Sequence, residues 1–136
     1  MPTEYRTKRK IEFSDTDMAG IVHFTRFFIY MESVEHEFLR SLGTSVSTTI
    51  DGKEIGWPRL TASCEYLSPL KFEDEVDILL SVKKKGTKSI TYQFHFTLEG
   101  CDIARGEVTT VCCITNLGDK LQPISIPDII SNKISI

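Results

Sequence analysis

Residues 14–25 read SDTDMAGIVHFT and residues 26–42 read RFFIYMESVEHEFLRSL, and this stretch decides the fold of the chain. In its second part, apolar side chains recur at helical spacing, at Phe27, Met31, Val34, Phe38 and Leu42. Thr25 is suited to be the N-cap of this helix, and Gly43 is suited to end it. We therefore predict a helix over 26–42 whose apolar stripe must be covered by another element.

The segments around this helix alternate between apolar and polar residues, which is the pattern of half-buried β-strands. These segments are residues 4–13, 59–66, 75–85, 88–98 and 101–115. Gly106 in the last segment indicates a bulge or a close backbone approach. Residues 44–58 lack periodicity and predict a connection with at most one short element, while residues 126–134 predict a short terminal helix.

The gaps between these strands determine how the strands pair. Connections of a few residues around Gly86 and Gly100 fit hairpins and are too short for the crossovers that parallel strands need. We predict one α+β domain over residues 1–136, with an antiparallel five-stranded sheet wrapped around one long helix. The apolar strand over 88–98 carries more aromatic surface than one helix hides, so self-association is expected.

Composition narrows the class of protein. The chain is 40% hydrophobic and 26% charged, which is typical of a soluble globular domain, and it has no apolar run of membrane-spanning length. The basic N-terminus has no apolar core after it, so it does not indicate a secretory signal and a cytoplasmic location is expected. A net charge of -3 provides no general attraction to nucleic acid. The four cysteines form no C-x-x-C pair and predict reduced thiols.

The stretch before the helix also carries candidate chemistry. Asp15 and Asp17 precede a glycine turn at Gly20 and the predicted helix start, where the first N–H groups have no partners within the helix. Such donors stabilise a carbonyl oxygen that gains negative charge, and a nearby carboxylate is a nucleophile or a base. Aspartate also makes Asx turns and helix caps. From residue type and spacing alone, this structural role is favoured for Asp17.

The segment 13–24, FSDTDMAGIVHF, resembles the hotdog-fold thioesterases of the 4-hydroxybenzoyl-CoA thioesterase type. The resemblance covers essentially the whole chain, including Lys88-Ser89 at a strand start and the late segment 126–128. It implies a hotdog fold and hydrolysis of an acyl or aroyl coenzyme A thioester to the free acid and coenzyme A. It also implies a homodimer or homotetramer, and no cofactor, because coenzyme A is part of the substrate.

The resemblance further implies roles for residues of the motif. Asp17 would be the catalytic carboxylate, which attacks the thioester carbonyl or activates water. The backbone N–H of Phe24 would polarise the carbonyl, Gly20 would permit the turn, and Asp15 would support the loop. His23 would orient water or contact the acyl group, but a histidine satisfied within the loop is an equally good interpretation.

Binding roles follow from the same resemblance. Coenzyme A in this family lies near a subunit boundary against basic side chains, which match Lys88 most directly and Lys84 and Lys85 less directly. The candidates for an acyl pocket are the aromatic residues Phe24, Phe27 and Trp57. The alternatives are a solvated hairpin turn for the lysines and core positions for the aromatic residues. No ligand set accompanies the pair Glu32 and His36, so no metal site is expected.

Two other classes of protein remain as alternatives. A non-catalytic acyl-CoA or acyl-carrier binding protein would share this fold. A phosphotransferase that uses the D-x-D motif would need a parallel α/β sheet, which the predicted hairpins oppose. The sequence does not identify the acyl group.

Overall fold

A computed structural model describes residues 3–136. The main helix is α1 (Arg26–Ser41), and a short helix α2 (Asp128–Ser131) lies near the C-terminus. The strands are β1 (Glu4–Lys10), β2 (Thr48–Ile50), β3 (Lys53–Gly56), β4 (Arg59–Tyr66), β5 (Glu75–Lys85), β6 (Ser89–Leu98), β7 (Cys101–Val111), β8 (Cys113–Leu117) and β9 (Lys120–Pro123). Neither helix of the described chain has the length and apolar character that crossing a bilayer requires.

The main sheet has five antiparallel strands in the order β1-β5-β6-β7-β4. This confirms the predicted α+β fold class with a five-stranded sheet around one long helix. The two hairpins, β5 to β6 and β6 to β7, place consecutive strands side by side, as their short turns require. β1 and β4 are the edges of the sheet.

The helix packs on one face of the sheet through aromatic side chains. The ring of Phe38 lies 5.9 Å from that of Tyr92 and the ring of Phe27 lies 5.3 Å from that of Phe96, both edge-to-face. Gly106 lets the helix approach β7 closely, because a Cβ atom there would overlap with the sulfur of Met31. The predicted close approach at Gly106 is thus confirmed.

The structure corrects three of the predicted boundaries. Residues 44–58 contain two short strands rather than a loop with one element at most, and β2, β3, β8 and β9 form a second, four-stranded sheet. The strand predicted over 101–115 divides at Cys112 into β7 and β8. The strand predicted over 4–13 ends at Lys10, because Phe13–Asp15 forms a 3-10 turn. The four strands of this second sheet are only three to five residues long, which is too short to leave a clear periodic signal.

Strand register defines two ends of the main sheet. Tyr66, Ala104 and Phe96 lie in register at one end, which we call the cavity end. At the opposite end, the hairpin end, Arg59 lies in register with Thr110. That end also carries Ile90 and Lys85, which border the β5–β6 turn. The helix starts over the cavity end and runs toward the hairpin end.

Candidate active site

A tight turn before α1 presents the Asp17 carboxylate. The Gly20 N–H donates to the Asp17 carbonyl at 2.9 Å, and the Asp17 N–H donates to the Ile21 carbonyl at 2.9 Å. Gly20 has a φ of +80°, a backbone conformation that residues with a Cβ atom rarely adopt. The glycine is therefore required by the turn itself, as the sequence predicts.

One oxygen of the Asp17 carboxylate is used in this turn. Its Oδ1 accepts a hydrogen bond from the Ala19 N–H at 2.9 Å, which is an Asx turn. For Oδ2, residues 3–136 provide no hydrogen-bond partner. The structural role weighed for Asp17 is therefore present, and it orients the carboxylate while one oxygen stays free for chemistry.

Asp17 lies on the wall of a largely apolar cavity of about 450 Å³. The other lining residues are Ile21, Val22, Phe24, Phe27, Tyr66, Leu67, Ser68, Pro69 and Leu70. Phe24 is 60% exposed and Tyr66 is 44% exposed, so two walls of the cavity face solvent in the single chain. A cavity of this size and polarity suits the acyl part of a ligand.

The Phe24 amide has the properties of an oxyanion donor. Its N–H has no acceptor within the described part of the chain, and α1 begins two residues later at Arg26. The start of a helix adds positive potential, which favours an oxygen that gains negative charge. The Tyr66 hydroxyl donates to the Phe24 carbonyl at 2.9 Å and ties this loop to the end of β4. Tyr66 is a site residue that sequence reasoning missed, because only strand pairing brings it to the loop.

Asp15 makes contacts that support the loop. Its Oδ2 accepts from the Glu12 N–H at 2.9 Å, and its Oδ1 lies 3.8 Å from the Arg26 Nε. The Arg26 guanidinium also donates to the Ser14 carbonyl at 3.1 Å, and the His23 N–H donates to the Asp15 carbonyl at 2.9 Å. Together these bonds tie the loop to the first turn of the helix.

His23 is turned toward the helix start rather than into the cavity. Its Nδ1 lies 2.7 Å from the Thr25 hydroxyl, and its ring stacks on that of Phe24 at 4.7 Å. Thr25 occupies the N-cap position as predicted, but its side chain makes no capping bond to the helix and pairs with His23 instead. A direct role of the His23 side chain in chemistry stays a prediction.

The remaining predicted binding residues are dispersed in the single chain. Phe27 is buried and lines the Asp17 cavity, whereas Trp57 is buried in the core and does not line it. Lys84 and Lys88 are exposed at the hairpin end. Lys85 is half-buried, and its ammonium donates to two carbonyls of the C-terminal segment, those of Ser131 at 3.0 Å and Ile134 at 2.7 Å.

The lysines and Asp17 therefore lie at opposite ends of the same sheet. Six residues separate the registered positions Phe96 and Ile90 along β6, a distance of about 20 Å at 3.3 Å per residue. Across residues 3–136, no three His, Cys, Asp or Glu side chains come together in a way that would hold a metal ion.

Comparisons with known proteins identify the family of the chain. The family model of the thioesterase-like superfamily matches residues 11–134. An Aquifex aeolicus protein named putative esterase is 35% identical over 128 residues, which are 93% of each chain. The structure of a gentisyl-coenzyme A thioesterase is 34% identical, with a TM-score of 0.82, and the match covers 93% of this chain and 99% of that one.

A third comparison concerns the fold alone. The structure of a 4-hydroxybenzoyl CoA thioesterase variant complexed with 4-hydroxybenzoyl CoA has a TM-score of 0.82 at 17% identity, and the match covers 97% of this chain and 99% of that one. The predicted resemblance is therefore confirmed. The chain belongs to the thioesterase-like superfamily and is a thioester hydrolase with a hotdog fold.

Proposed function

We propose that this protein hydrolyses an acyl or aroyl coenzyme A thioester to a carboxylic acid and coenzyme A. The observation that supports this most strongly is the placement of a half-free carboxylate and a free backbone amide on one apolar cavity. The similar proteins named above include a gentisyl-coenzyme A thioesterase, which supports a coenzyme A ester as the substrate. We propose that the reaction uses no cofactor besides the coenzyme A of the substrate.

In the proposed reaction, the Phe24 N–H donates to the thioester carbonyl oxygen as it becomes an oxyanion. Oδ2 of Asp17 then acts by one of two routes. It attacks the carbonyl carbon and expels the thiolate to give a mixed anhydride, which water cleaves. Alternatively, it removes a proton from water, and the resulting hydroxide attacks the same carbon. In both routes the C–S bond breaks, water supplies an oxygen to the acid, and the thiolate leaves without a strong acid.

The substitution Asp17→Asn tests this role. It keeps the size of the side chain and an oxygen for the Asx turn but removes the anionic nucleophile or base. We expect kcat, measured by release of free thiol, to fall by about 10³-fold with an unchanged melting temperature. Asp119→Asn, in an exposed turn, is the matched control and should retain full activity. Comparable turnover of wild type and Asp17→Asn would refute the assignment.

The same experiment separates the enzyme from a binding protein. Calorimetry with an acyl-CoA measures binding by Asp17→Asn, and the thiol assay measures hydrolysis by the wild type. Binding without hydrolysis by the wild type across a panel of aromatic, short and long acyl esters would favour the non-catalytic alternative. Hydrolysis of any ester, ranked by kcat/KM, identifies the preferred acyl class.

We further propose that the working form is a homodimer or homotetramer and that its location is cytoplasmic. β4 supports self-association because it is an eight-residue edge strand with exposed side chains on both faces. Pairing of β4 with β4 of a second copy would bring the hairpin end of one chain toward the cavity end of the other. This arrangement would place Lys88 and Lys84 of the partner subunit where the phosphates of coenzyme A leave the cavity.

A further inference from the structure

Ser68 contributes a hydroxyl group to the wall of the Asp17 cavity. The other side chains of this wall are apolar, apart from those of Asp17 and Tyr66. The Tyr66 hydroxyl already donates its proton to the Phe24 carbonyl, and the Asp17 carboxylate is an acceptor. Among the residues that line this cavity, Ser68 therefore has the side chain that can still offer a proton to a bound molecule.

The loop that carries Ser68 faces the loop that carries Asp17, and two hydrogen bonds join them. The Tyr66 hydroxyl donates to a carbonyl of the facing loop at 2.9 Å, and the Leu70 carbonyl accepts from the Val22 N–H at 2.8 Å. Ser68 lies midway between Tyr66 and Leu70 in the chain. The two bonds therefore hold Ser68 opposite the Asp17 loop, on the other side of the cavity.

Contacts with β7 fix both the backbone and the hydroxyl oxygen of Ser68. The N–H groups of Ser68 and Leu67 both donate to the Ile103 carbonyl, at 3.0 Å and 2.8 Å. The Cys101 thiol donates to the Ser68 oxygen, with a sulfur–oxygen distance of 3.7 Å. This contact occupies one lone pair of that oxygen and leaves the hydroxyl proton unused. In the chain from residue 3 to residue 136, no acceptor lies within hydrogen-bond reach of this proton.

Ser68 lies at the rim of the cavity rather than at its inner end. Phe27 and Leu70 are buried and form the inner, apolar end. Ser68 is half-buried, and the residues on either side of it in the chain are exposed. An acyl group in the apolar interior leaves its thioester sulfur at this rim, because coenzyme A continues from the sulfur into solvent.

Two atoms of a thioester gain negative charge during hydrolysis, the carbonyl oxygen and the departing sulfur. The proposed reaction gives the oxygen a donor, the Phe24 N–H, but gives the sulfur none. The Asp17 carboxylate is itself an anion and cannot stabilise a thiolate. A hydrogen bond to a forming anion is stronger at an apolar cavity than in water. A neutral donor at the rim, such as the Ser68 hydroxyl, therefore suits the sulfur.

We infer that the Ser68 hydroxyl donates a hydrogen bond to the thioester sulfur as the C–S bond breaks. The sulfur departs with the bonding electron pair as a thiolate and later takes a proton from solvent, while Ser68 keeps its own proton throughout. This inference rests on the proposed thioesterase function and adds a catalytic residue to it. It holds for both routes proposed for Asp17, since each route expels the same thiolate.

The experiment compares two thioesters of benzoate, or of the acyl group that the panel above ranks first, one with N-acetylcysteamine and one with thiophenol. N-acetylcysteamine is the reactive end of coenzyme A and gives a basic thiolate, whereas thiophenol is a far more acidic thiol and leaves without help. Ser68→Ala should lower kcat/KM about twentyfold for the N-acetylcysteamine ester and less than about threefold for the thiophenol ester. Release of free thiol measures both rates.

Further variants separate the hydrogen bond from packing. Ser68→Cys keeps a side chain of similar shape with a much weaker donor, and it should show the same difference between the two esters. Ser47→Ala, an exposed serine just before β2, is the matched control and should keep the wild-type rates on both esters. A general loss of folded protein lowers both rates by the same factor, so it cannot imitate a loss confined to one ester.

The outcomes for Ser68 and for the proposed function are distinguishable. Equal losses on the two esters, or no loss on the N-acetylcysteamine ester, would overturn the role of Ser68 and leave the proposed function intact. A wild type that hydrolyses no ester of the panel would overturn the proposed function, and this inference with it. Asp17→Asn should lose activity on both esters, because the carboxylate is needed whichever thiol leaves.

Discussion

Two carboxylates on the same side of the sheet, Asp17 and Glu35, are held in opposite ways. Asp17 is half-buried, and its turn uses hydrogen bonds to residues no more than four positions away. Glu35 is fully buried, and its partner Arg59 is 24 positions away in sequence and on a different element. The comparison shows that a contiguous segment can position one carboxylate, whereas the other is positioned only by the assembled sheet.

The two carboxylates also differ in what they can do. Within residues 3–136, one oxygen of Asp17 has no hydrogen-bond partner, while both oxygens of Glu35 face the Arg59 guanidinium. Burial raises the pKa of Glu35, and the hydrogen bonds and charge of Arg59 oppose that rise. Glu35 is therefore suited to hold a cation in place, and Asp17 is suited to attack or to accept a proton.

Removing Arg59 alone should give the largest effect on stability. Arg59→Met leaves the Glu35 carboxylate buried without its partner, and we expect the free energy of unfolding to fall by about 3 kcal/mol at neutral pH. The folded-state pKa of Glu35 then lies further above its ordinary value of 4.5. The loss is therefore absent below pH 4.5 and develops as pH rises through the folded-state pKa.

Urea denaturation at pH 4.5 and pH 8 measures this effect. Arg59→Met combined with Glu35→Met should recover most of the stability, because no charge is then stranded. Asp17→Asn should unfold at the wild-type urea concentration, because its loop is partly exposed. A double variant as unstable as the single one would show that packing, not charge, dominates at this position.

Removing the hydrogen bond between Tyr66 of β4 and the Asp17 loop should have an intermediate effect, which falls on activity. Tyr66→Phe removes the hydrogen bond to the Phe24 carbonyl, which positions the neighbouring amide. We expect kcat/KM for an acyl-CoA to fall about fivefold, mainly through kcat. Tyr5→Phe, which removes a hydroxyl bonded to Glu37 on the other side of the helix, is the matched control. Equal losses in both variants would contradict a positioning role for Tyr66.

Substitution of a lysine at the hairpin end should give the smallest effect, which falls on substrate binding. Lys88→Ala removes one flexible ammonium from the proposed phosphate contacts, so we expect KM for acyl-CoA to rise about threefold with kcat unchanged. The difference between wild type and variant should shrink at high salt, because exposed charges are screened. Lys120→Ala, on the exposed edge strand β9, should leave KM unchanged. A KM that does not respond to Lys88→Ala would place the phosphates elsewhere.

Local patterns predict much of this protein because they depend on neighbouring residues. Helical spacing predicts α1 to within one residue at its C-terminal end. Strict alternation predicts β6, and Gly86 and Gly100 predict the hairpins that make the sheet antiparallel. The turn at Asp17 is also local, because its hydrogen bonds join residues at most four positions apart and its glycine adopts a positive φ.

Periodicity reports which face of an element is buried but not which element covers it. The second sheet of β2, β3, β8 and β9 was missed because its strands are short. Trp57, a candidate for the acyl pocket, is buried and does not line the Asp17 cavity of the single chain. The pairing of Glu35 with Arg59 has no local signature, since nothing near either residue in sequence specifies the other.

The sequence by itself therefore determined the helix, the hairpins and the turn between Asp17 and Gly20, because short-range spacing and backbone preference decide each of them. Only the tertiary structure decided which side chains meet across the sheet. Strand register places Tyr66 on the Asp17 loop and puts Arg59 and the lysines at the far end. The physical reason is that contacts between distant segments depend on how strands align, and alignment is set by the packing of the whole core.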